Sequence, residues 1–152
     1  MSKLKSLLFP AIILFALSCE DNVPQDSMIP RVPVNEQVNI NTPLHSALQN
    51  PGGFAYIQGG SRSIVVIHSL SGRFIAYDRN CAFRPMDDCS QVEMHSSVAF
   101  LRCGQSDSSG CKSCCGTRYN LDGEVIDGPG LNPLLQYRVD RSGNNIYINS
   151  NF

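Results

Sequence analysis

The chain has 152 residues, with 12 basic and 13 acidic side chains and a formal net charge of −1. This length suits one domain with a modest core. The sequence has no arginine-rich run or basic patch that would neutralise nucleic-acid phosphates, so a nucleic-acid partner is not expected. Charged residues are sparse at 16%, while Asn, Ser and Gly are plentiful, which is typical of a β protein with many turns.

The N-terminal segment has the pattern of a bacterial export signal. Lys3 and Lys5 precede an apolar run over residues 7–17. The run has the length of a signal-peptide core and is shorter than the roughly 20 residues of a membrane-spanning helix. It ends in Ala-Leu-Ser-Cys, and Cys19 lies where polar residues begin. This pattern resembles a lipobox, so we expect removal of the signal peptide, residues 1–18, and lipidation of Cys19.

Lipidation would attach the chain to a lipid bilayer, because the modification supplies more than one acyl chain. An ordinary secretory signal with a chance cysteine is the alternative. We expect an outer-membrane lipoprotein of the bacterial cell envelope, either periplasmic or exposed at the surface. The start Glu20-Asp21-Asn22 resembles the acidic surface-export signals of some Bacteroidetes lipoproteins. Residues 19–36 are polar and contain several prolines, which predicts a flexible tether, and residues 37–152 form the predicted domain.

From residue 37 onward, short strands alternate with turns. Val38 and Ile40 alternate with asparagines, as in a half-buried strand, and residues 64–67 form a β-branched run typical of a strand buried on both faces. Asp122-Gly123 predicts a tight hairpin turn. The other predicted strands cover residues 54–57, 73–77, 98–101, 118–121, 124–126 and 146–148, with a short turn at 44–48. These elements predict an all-β fold, a small antiparallel sandwich or barrel.

The chain contains seven cysteines, and six remain when the lipid-bearing Cys19 is set aside. An even number of cysteines in an exported chain favours disulfides, although their pairing does not follow from their spacing. The six cysteines are Cys81, Cys89, Cys103, Cys111, Cys114 and Cys115. Their confinement to this stretch predicts a cysteine-rich group of loops.

Several short motifs follow one another along residues 52–139. They are Gly-Gly-Phe at 52–54, the strand at 64–67, Phe-Ile-Ala-Tyr-Asp at 74–78 before Cys81, Cys-Gly-Thr-Arg-Tyr at 115–119, Asp-Gly-Glu-Val at 122–125, Gly-Pro-Gly at 128–130 and Leu-Leu-Gln-Tyr-Arg-Val at 134–139. This series resembles the Rieske 2Fe-2S domain superfamily, including Rieske-like lipoproteins of Bacteroidetes. The resemblance implies a Rieske-like β domain with its cysteine loops at one tip.

Rieske domains hold a 2Fe-2S cluster with two cysteines and two histidines, in loops that read Cys-x-His and Cys-x-x-His-Gly-Ser. In this chain Cys81 matches the first cysteine, but Phe83 stands at the histidine position and has no lone pair for iron. The three histidines all lie outside the expected loop positions. His45 is expected in a solvated turn, and His68 as a residue satisfied within the fold or at a strand edge. His95 lies in the segment between the two loops, from which it could approach the site.

The second loop departs from the Rieske pattern as well. One register places Cys115 at the histidine position and Lys112 at the cysteine position, and a slip of one residue places Cys111 and Cys114 at the ligand positions. Either register lacks the imidazole. The resemblance therefore implies a degenerate member of the superfamily.

For the cysteines, the resemblance implies a Cys89–Cys114 disulfide between the two loops and a pairing of Cys81 with Cys111 or Cys115. Each disulfide would restrain the unfolded chain. Two alternatives remain open. Four cysteines could bind a 2Fe-2S cluster, with candidates Cys81, Cys103, Cys111, Cys114 and Cys115. Four could instead bind zinc, since Cys111 and Cys114 form a Cys-x-x-Cys pair. Because an oxidising envelope favours disulfides over thiolate ligands, we rank disulfides first, the cluster second and zinc third.

The remaining motifs indicate no catalytic site, and no enzyme activity is expected. Asp87-Asp88 is interpreted as a solvated loop pair. Thr117 and Tyr119 match residues that form hydrogen bonds near the cluster in the Rieske family, or they simply complete a strand. We therefore expect a non-catalytic, disulfide-stapled envelope lipoprotein with a structural or binding role and no bound metal. The alternative is electron transfer through a 2Fe-2S cluster with cysteine-rich ligation, and the sequence names no protein partner.

Overall fold

The computed structural model describes residues 29–104 and 116–152. The strands are β1 (Asn35–Asn39), β2 (Phe54–Ile57), β3 (Ile64–His68), β4 (Phe74–Asp78), β5 (Val92–Met94), β6 (Leu101–Cys103), β7 (Arg118–Tyr119), β8 (Val125–Asp127), β9 (Gln136–Ser142) and β10 (Asn145–Asn149). A 3-10 helix over Pro43–Gln49 occupies the place of the predicted early turn. Within the described ranges, no helix has the length and apolarity that crossing a bilayer requires.

The strands form two antiparallel sheets, which confirms the predicted all-β class. One sheet has six strands in the order β1-β10-β9-β4-β3-β2, and the other has four in the order β5-β6-β7-β8. The halves of the larger sheet are joined by β4 and β9, which pair only through Ala76 with Tyr137 and Tyr77 with Gln136. From Arg138 onward β9 pairs with β10 instead. The larger sheet is therefore narrowly joined at its centre.

The core has two parts, one on each face of β3. Ile64 and Val66 contribute to one cluster, whereas Val65 and Ile67 contribute to the other. All five residues of β3 are buried, which confirms the prediction of a strand buried on both faces. The second cluster joins the larger sheet to the smaller one and includes Tyr77, Cys81, Val92, Met94, Leu101, Cys103, Tyr119 and Leu134. Cys81 and Cys103 thus belong to the core between the sheets.

The predicted strand at 98–101 is wrong over most of its length. Val98 lies in a turn with a φ of 56°, and its N–H donates to the carbonyl of His95. The N–H of His95 in turn bonds the carbonyl of Phe100, so these residues form the loop between β5 and β6. Only Leu101 of the predicted segment belongs to a strand. Apolar character misled the prediction here, because Val98 and Ala99 are exposed in the loop and Phe100 stacks on His95.

The predicted hairpin at Asp122-Gly123 is confirmed, with a longer loop than expected. The flanking strands are β7 and β8, and the N–H of Asn120 donates to the carbonyl of Glu124. The side-chain oxygen of Asn120 accepts from the backbone N–H groups of Asp122 and Glu124. This Asn caps the turn and ends β7 at Tyr119, earlier than predicted.

The domain begins before residue 37, where the sequence placed its boundary. Ile29 and Val34 are buried, and β1 begins at Asn35. Val34 exchanges hydrogen bonds with Ser150, which follows β10. The last part of the predicted tether therefore packs against the domain, because these apolar side chains have a core to enter.

Candidate functional site: the buried cysteine pair

Cys81 and Cys103 form a disulfide between the segment after β4 and the end of β6. Their Cα atoms are 5.6 Å apart, which is within the usual range for a disulfide. The two residues are 0% and 1% exposed. The bond is therefore buried between the two sheets.

The expected pairing of Cys81 with Cys111 or Cys115 is wrong, and strand register explains why. The N–H of Cys81 donates to the carbonyl of Ser90 at 3.0 Å, which holds it beside the start of β5. On the other side of β5, Val92 pairs with Cys103 in β6. These two pairings bring Cys103 opposite Cys81, and they depend on contacts between elements that spacing does not reveal.

Tyr119 and Thr117 lie beside the cysteine pair. The buried Tyr119 hydroxyl is 3.6 Å from Sγ of Cys81 and donates toward it. The carbonyl of Thr117 accepts from the N–H of Cys103 at 2.8 Å. Both residues therefore pack the disulfide from the β7 side.

The Gly-Pro-Gly loop is packed against Thr117. The N–H of Gly130 donates to Oγ1 of Thr117 at 3.0 Å. Gly128 has a φ of 101°, and a Cβ there would lie 2.6 Å from Cα of Thr117, which only glycine avoids. The loop thus closes over the strand that carries Tyr119.

Phe83 lies in the loop between Cys81 and β5, and its ring packs against the second core cluster. The Ser90 hydroxyl donates to the carbonyls of Phe83 and Arg84. Position 83 is thus a packing position. No sequence signal besides the missing imidazole indicates that role.

Arg62 holds the far end of the same loop. Its guanidinium donates to the carbonyls of Asp87 at 2.6 Å and Asp88 at 2.8 Å. Cys89, which follows directly, is also disulfide-bonded. Its predicted partner, Cys114, lies outside the described residues together with Cys19, Cys111 and Cys115, so that pairing stays a prediction.

Each of the three histidines has a hydrogen-bond or ring-stacking partner. Nδ1 of His45 is 3.0 Å from the Thr42 hydroxyl. His68 is buried, with Nδ1 2.9 Å from the carbonyl of Leu48, as expected of a satisfied residue. His95 stacks on Phe100 in the β5–β6 loop.

A buried carboxylate at the end of β4 escaped the sequence analysis. Asp78 is 0% exposed and accepts from the Tyr137 hydroxyl at 2.7 Å and from the backbone N–H groups of Ser61 at 2.6 Å and Asn80 at 2.8 Å. Burial, together with the hydrogen bond to Asp78, raises the pKa of Tyr137 well above its usual range. Asp78 is the last residue of the Phe-Ile-Ala-Tyr-Asp motif. Its position at the end of a predicted strand was the feature of the sequence that could have identified it.

Next to this carboxylate, Arg79 is 8% exposed. Its guanidinium lies 3.7 Å from the Tyr56 ring centroid, donates to the carbonyl of Val92 at 2.8 Å and pairs with Glu93 at 3.5 Å. Burial lowers the pKa of Arg79 below its usual value. This arginine joins β2 to β5 through a cation–π contact with Tyr56 and polar contacts with Val92 and Glu93.

The described loop residues do not fit a Rieske cluster. The sulfur of Cys81 is bonded to another sulfur, and the Phe83 ring offers no donor. Across residues 29–104 and 116–152, no group of three or more His, Cys, Asp or Glu side chains is arranged to hold a metal ion.

The solved structures that are similar to this chain include the two that follow. The chain is similar to the plasma membrane Rieske protein of the cyanobacterium Synechocystis PCC 6803, with 23% identity, a TM-score of 0.47, and coverage of 62% of this chain and 84% of that one. It is also similar to the ferredoxin of carbazole 1,9a-dioxygenase from Nocardioides aromaticivorans, with 15% identity, a TM-score of 0.46, and coverage of 82% and 99%. No protein-family model and no curated protein sequence matches the chain.

Proposed function

We propose that this protein is an envelope lipoprotein whose Rieske-like domain has a structural or binding role and is not an enzyme. The observation that carries the proposal is the disulfide between Cys81 and Cys103. Cys81 occupies the position of the first cluster cysteine in the motif that the sequence resembles. In this chain its sulfur forms a disulfide within the core.

Iron–sulfur ligation requires thiolates, and a disulfide sulfur is not one. Freeing Cys81 would mean reducing a bond that is buried between two sheets and packed by Tyr119. Phe83 would still leave the second iron without its imidazole. These three features together favour a stapled core over a cluster site.

Attachment to the membrane forms the second part of the proposal. A lipidated Cys19 would be followed by a short tether, with the domain beginning near Ile29. Two acyl-bearing groups on one residue supply enough apolar burial for stable anchoring. The domain would then stand close to the surface of the outer membrane, on either side of it.

The test is to produce the protein in an oxidising bacterial envelope and measure iron, visible absorbance and thiols after denaturation without reductant. We expect a colourless protein without stoichiometric iron, in which Cys81 and Cys103 do not react with a thiol reagent. The matched control is Cys103→Ala, which should make the Cys81 thiol reactive. A coloured protein with about two irons per chain would instead identify an electron carrier with cysteine-rich ligation.

A further inference from the structure

A groove opens in the larger sheet where β4 and β9 part. The two strands pair at Ala76 and Tyr77 and then separate toward Phe74, while β9 continues with β10. The opening has a volume of about 580 Å³, which is within the range of small-molecule sites. Its lining residues are Gly72, Arg73, Phe74, Gln136, Tyr137, Arg138, Val139, Arg141 and Asn151.

Three arginines line this groove, and the charge around it is positive. Arg73, Arg138 and Arg141 are exposed side chains. One carboxylate offsets them, because Asp140 lies 2.9 Å from Nε of Arg138. The remaining lining residues are uncharged, so the groove keeps an excess of positive charge in a chain whose net charge is −1.

Two of the arginines are held through their Nε atoms and leave their terminal nitrogens available. Nε of Arg73 donates to the Ser71 hydroxyl at 3.4 Å, and Nε of Arg141 donates to the carbonyl of Gly143 at 2.9 Å. The guanidinium of Arg141 also lies 5.3 Å from the centre of the Phe74 ring. Among the described residues, the terminal nitrogens of both arginines have no hydrogen-bond partner. The two terminal nitrogens of a guanidinium can donate a pair of hydrogen bonds to the oxygens of a phosphate group.

The groove lies on the side where the chain enters the domain. Asn151 lines it and donates to the carbonyl of Gln136, and the adjacent Ser150 is hydrogen-bonded to Val34. If Cys19 is lipidated as proposed, about ten residues join it to Ile29, which limits the separation to roughly 35 Å. A phosphate on a lipid headgroup and a phosphate on a soluble molecule are therefore both within reach of the arginines.

We propose that this groove binds a phosphate monoester through Arg73, Arg138 and Arg141. A monoester carries nearly two negative charges near pH 7, and it matches the excess of positive charge better than a single carboxylate does. Its oxygens accept from the terminal nitrogens of Arg73 and Arg141, while Arg138 lines the groove with its charge offset by Asp140.

The test uses calorimetric titration of the full chain in micelles of an uncharged detergent. One arm adds glycerol 3-phosphate, and the other adds micelles that contain phosphatidic acid, with phosphatidylcholine micelles as the blank. Binding in both arms supports the site with a soluble phosphate source, and binding to phosphatidic acid alone supports it with a lipid source. The absence of binding in both arms overturns the proposal.

Replacing Arg73 and Arg141 together by Gln should weaken binding at least tenfold, because charged hydrogen bonds are lost. Replacing both by Lys should give an affinity between those of the Gln variant and the native protein, because lysine keeps the charge but cannot donate the paired hydrogen bonds of a guanidinium. Arg84→Gln is the matched control, because it removes an exposed arginine outside the groove. Equal weakening by Arg84→Gln would contradict the site, since binding would then follow overall charge. Thermal unfolding of each variant checks that the fold is retained.

Discussion

At the residue scale, hydrogen bonds stabilise the buried Asp78 side chain. Its carboxylate accepts from three backbone N–H groups and from the Tyr137 hydroxyl and is fully buried. Asp78→Asn replaces an acceptor by a donor that faces these groups. We expect a loss of about 2–4 kcal/mol in the free energy of unfolding, measured with urea.

The control for this change is Asp87→Asn. The Asp87 side chain has only a 3.9 Å ion pair with Arg84, with both side chains about two-fifths exposed. We expect its replacement to change stability by less than about 0.5 kcal/mol. An equal effect of both substitutions would mean that the hydrogen bonds to Asp78 contribute little to stability.

Tyr137 makes stability depend on alkaline pH. Its pKa is raised above the ordinary 10.0 by burial and then by the hydrogen bond to Asp78. A group whose pKa is raised in the folded state contributes stability that is present below its unfolded pKa and lost as the pH rises toward its folded pKa. The urea midpoint should therefore fall above about pH 10. Tyr137→Phe should give a shallower fall, and identical slopes would contradict this assignment.

Some residues of the site could be predicted from the sequence and others could not. Phe83 in place of histidine could be read directly, because ligation depends on side-chain chemistry. The partner of Cys81 could not, because it depends on β5 lying between Cys81 and Cys103. Asp78 went unnoticed since a strand-end carboxylate looks the same whether it is solvated or buried.

The loop between β5 and β6 contains a strained element. Val98 has a φ of 56° and is 37% exposed, and a β-branched residue is disfavoured in this conformation. Val98→Gly should therefore raise the free energy of unfolding by about 0.5–1 kcal/mol. Val32, which is 38% exposed and has no positive φ, is the matched control. Val32→Gly should lower stability by a similar amount, and a loss in both variants would show that Val98 is not strained.

Elements could be predicted from the sequence where pattern and environment agree. β3 is a continuous β-branched run, and its complete burial follows from lying between two clusters. β5 was not predicted, because Val92–Met94 has only three residues and is stabilised by pairing with β6. The same pairing made the segment at 98–101 misleading, since its apolar residues lie in the connecting loop.

At the scale of the whole molecule, one domain contains two sheets and would be attached by its N-terminal segment. Cys19→Ser should move the protein from the membrane fraction to the soluble fraction, because it removes the residue that carries lipid. Cell fractionation with labelled palmitate measures this. Cys103→Ser is the control and should remain in the membrane fraction. Membrane association that persists in Cys19→Ser without label would contradict the lipoprotein proposal.

The bonding of Cys81 distinguishes a stapled core from a cluster site, and disulfide mapping by mass spectrometry measures it directly. Trypsin combined with an Asp-specific protease, without reductant, places Cys81, Cys103 and Cys111 on separate peptides, because Asp87 and Asp107 lie between them. We expect the peptides of Cys81 and Cys103 to form one species that separates on reduction. A Cys81 peptide linked to Cys111 or Cys115, or recovered as an alkylated thiol from iron-containing protein, would contradict the stapled core.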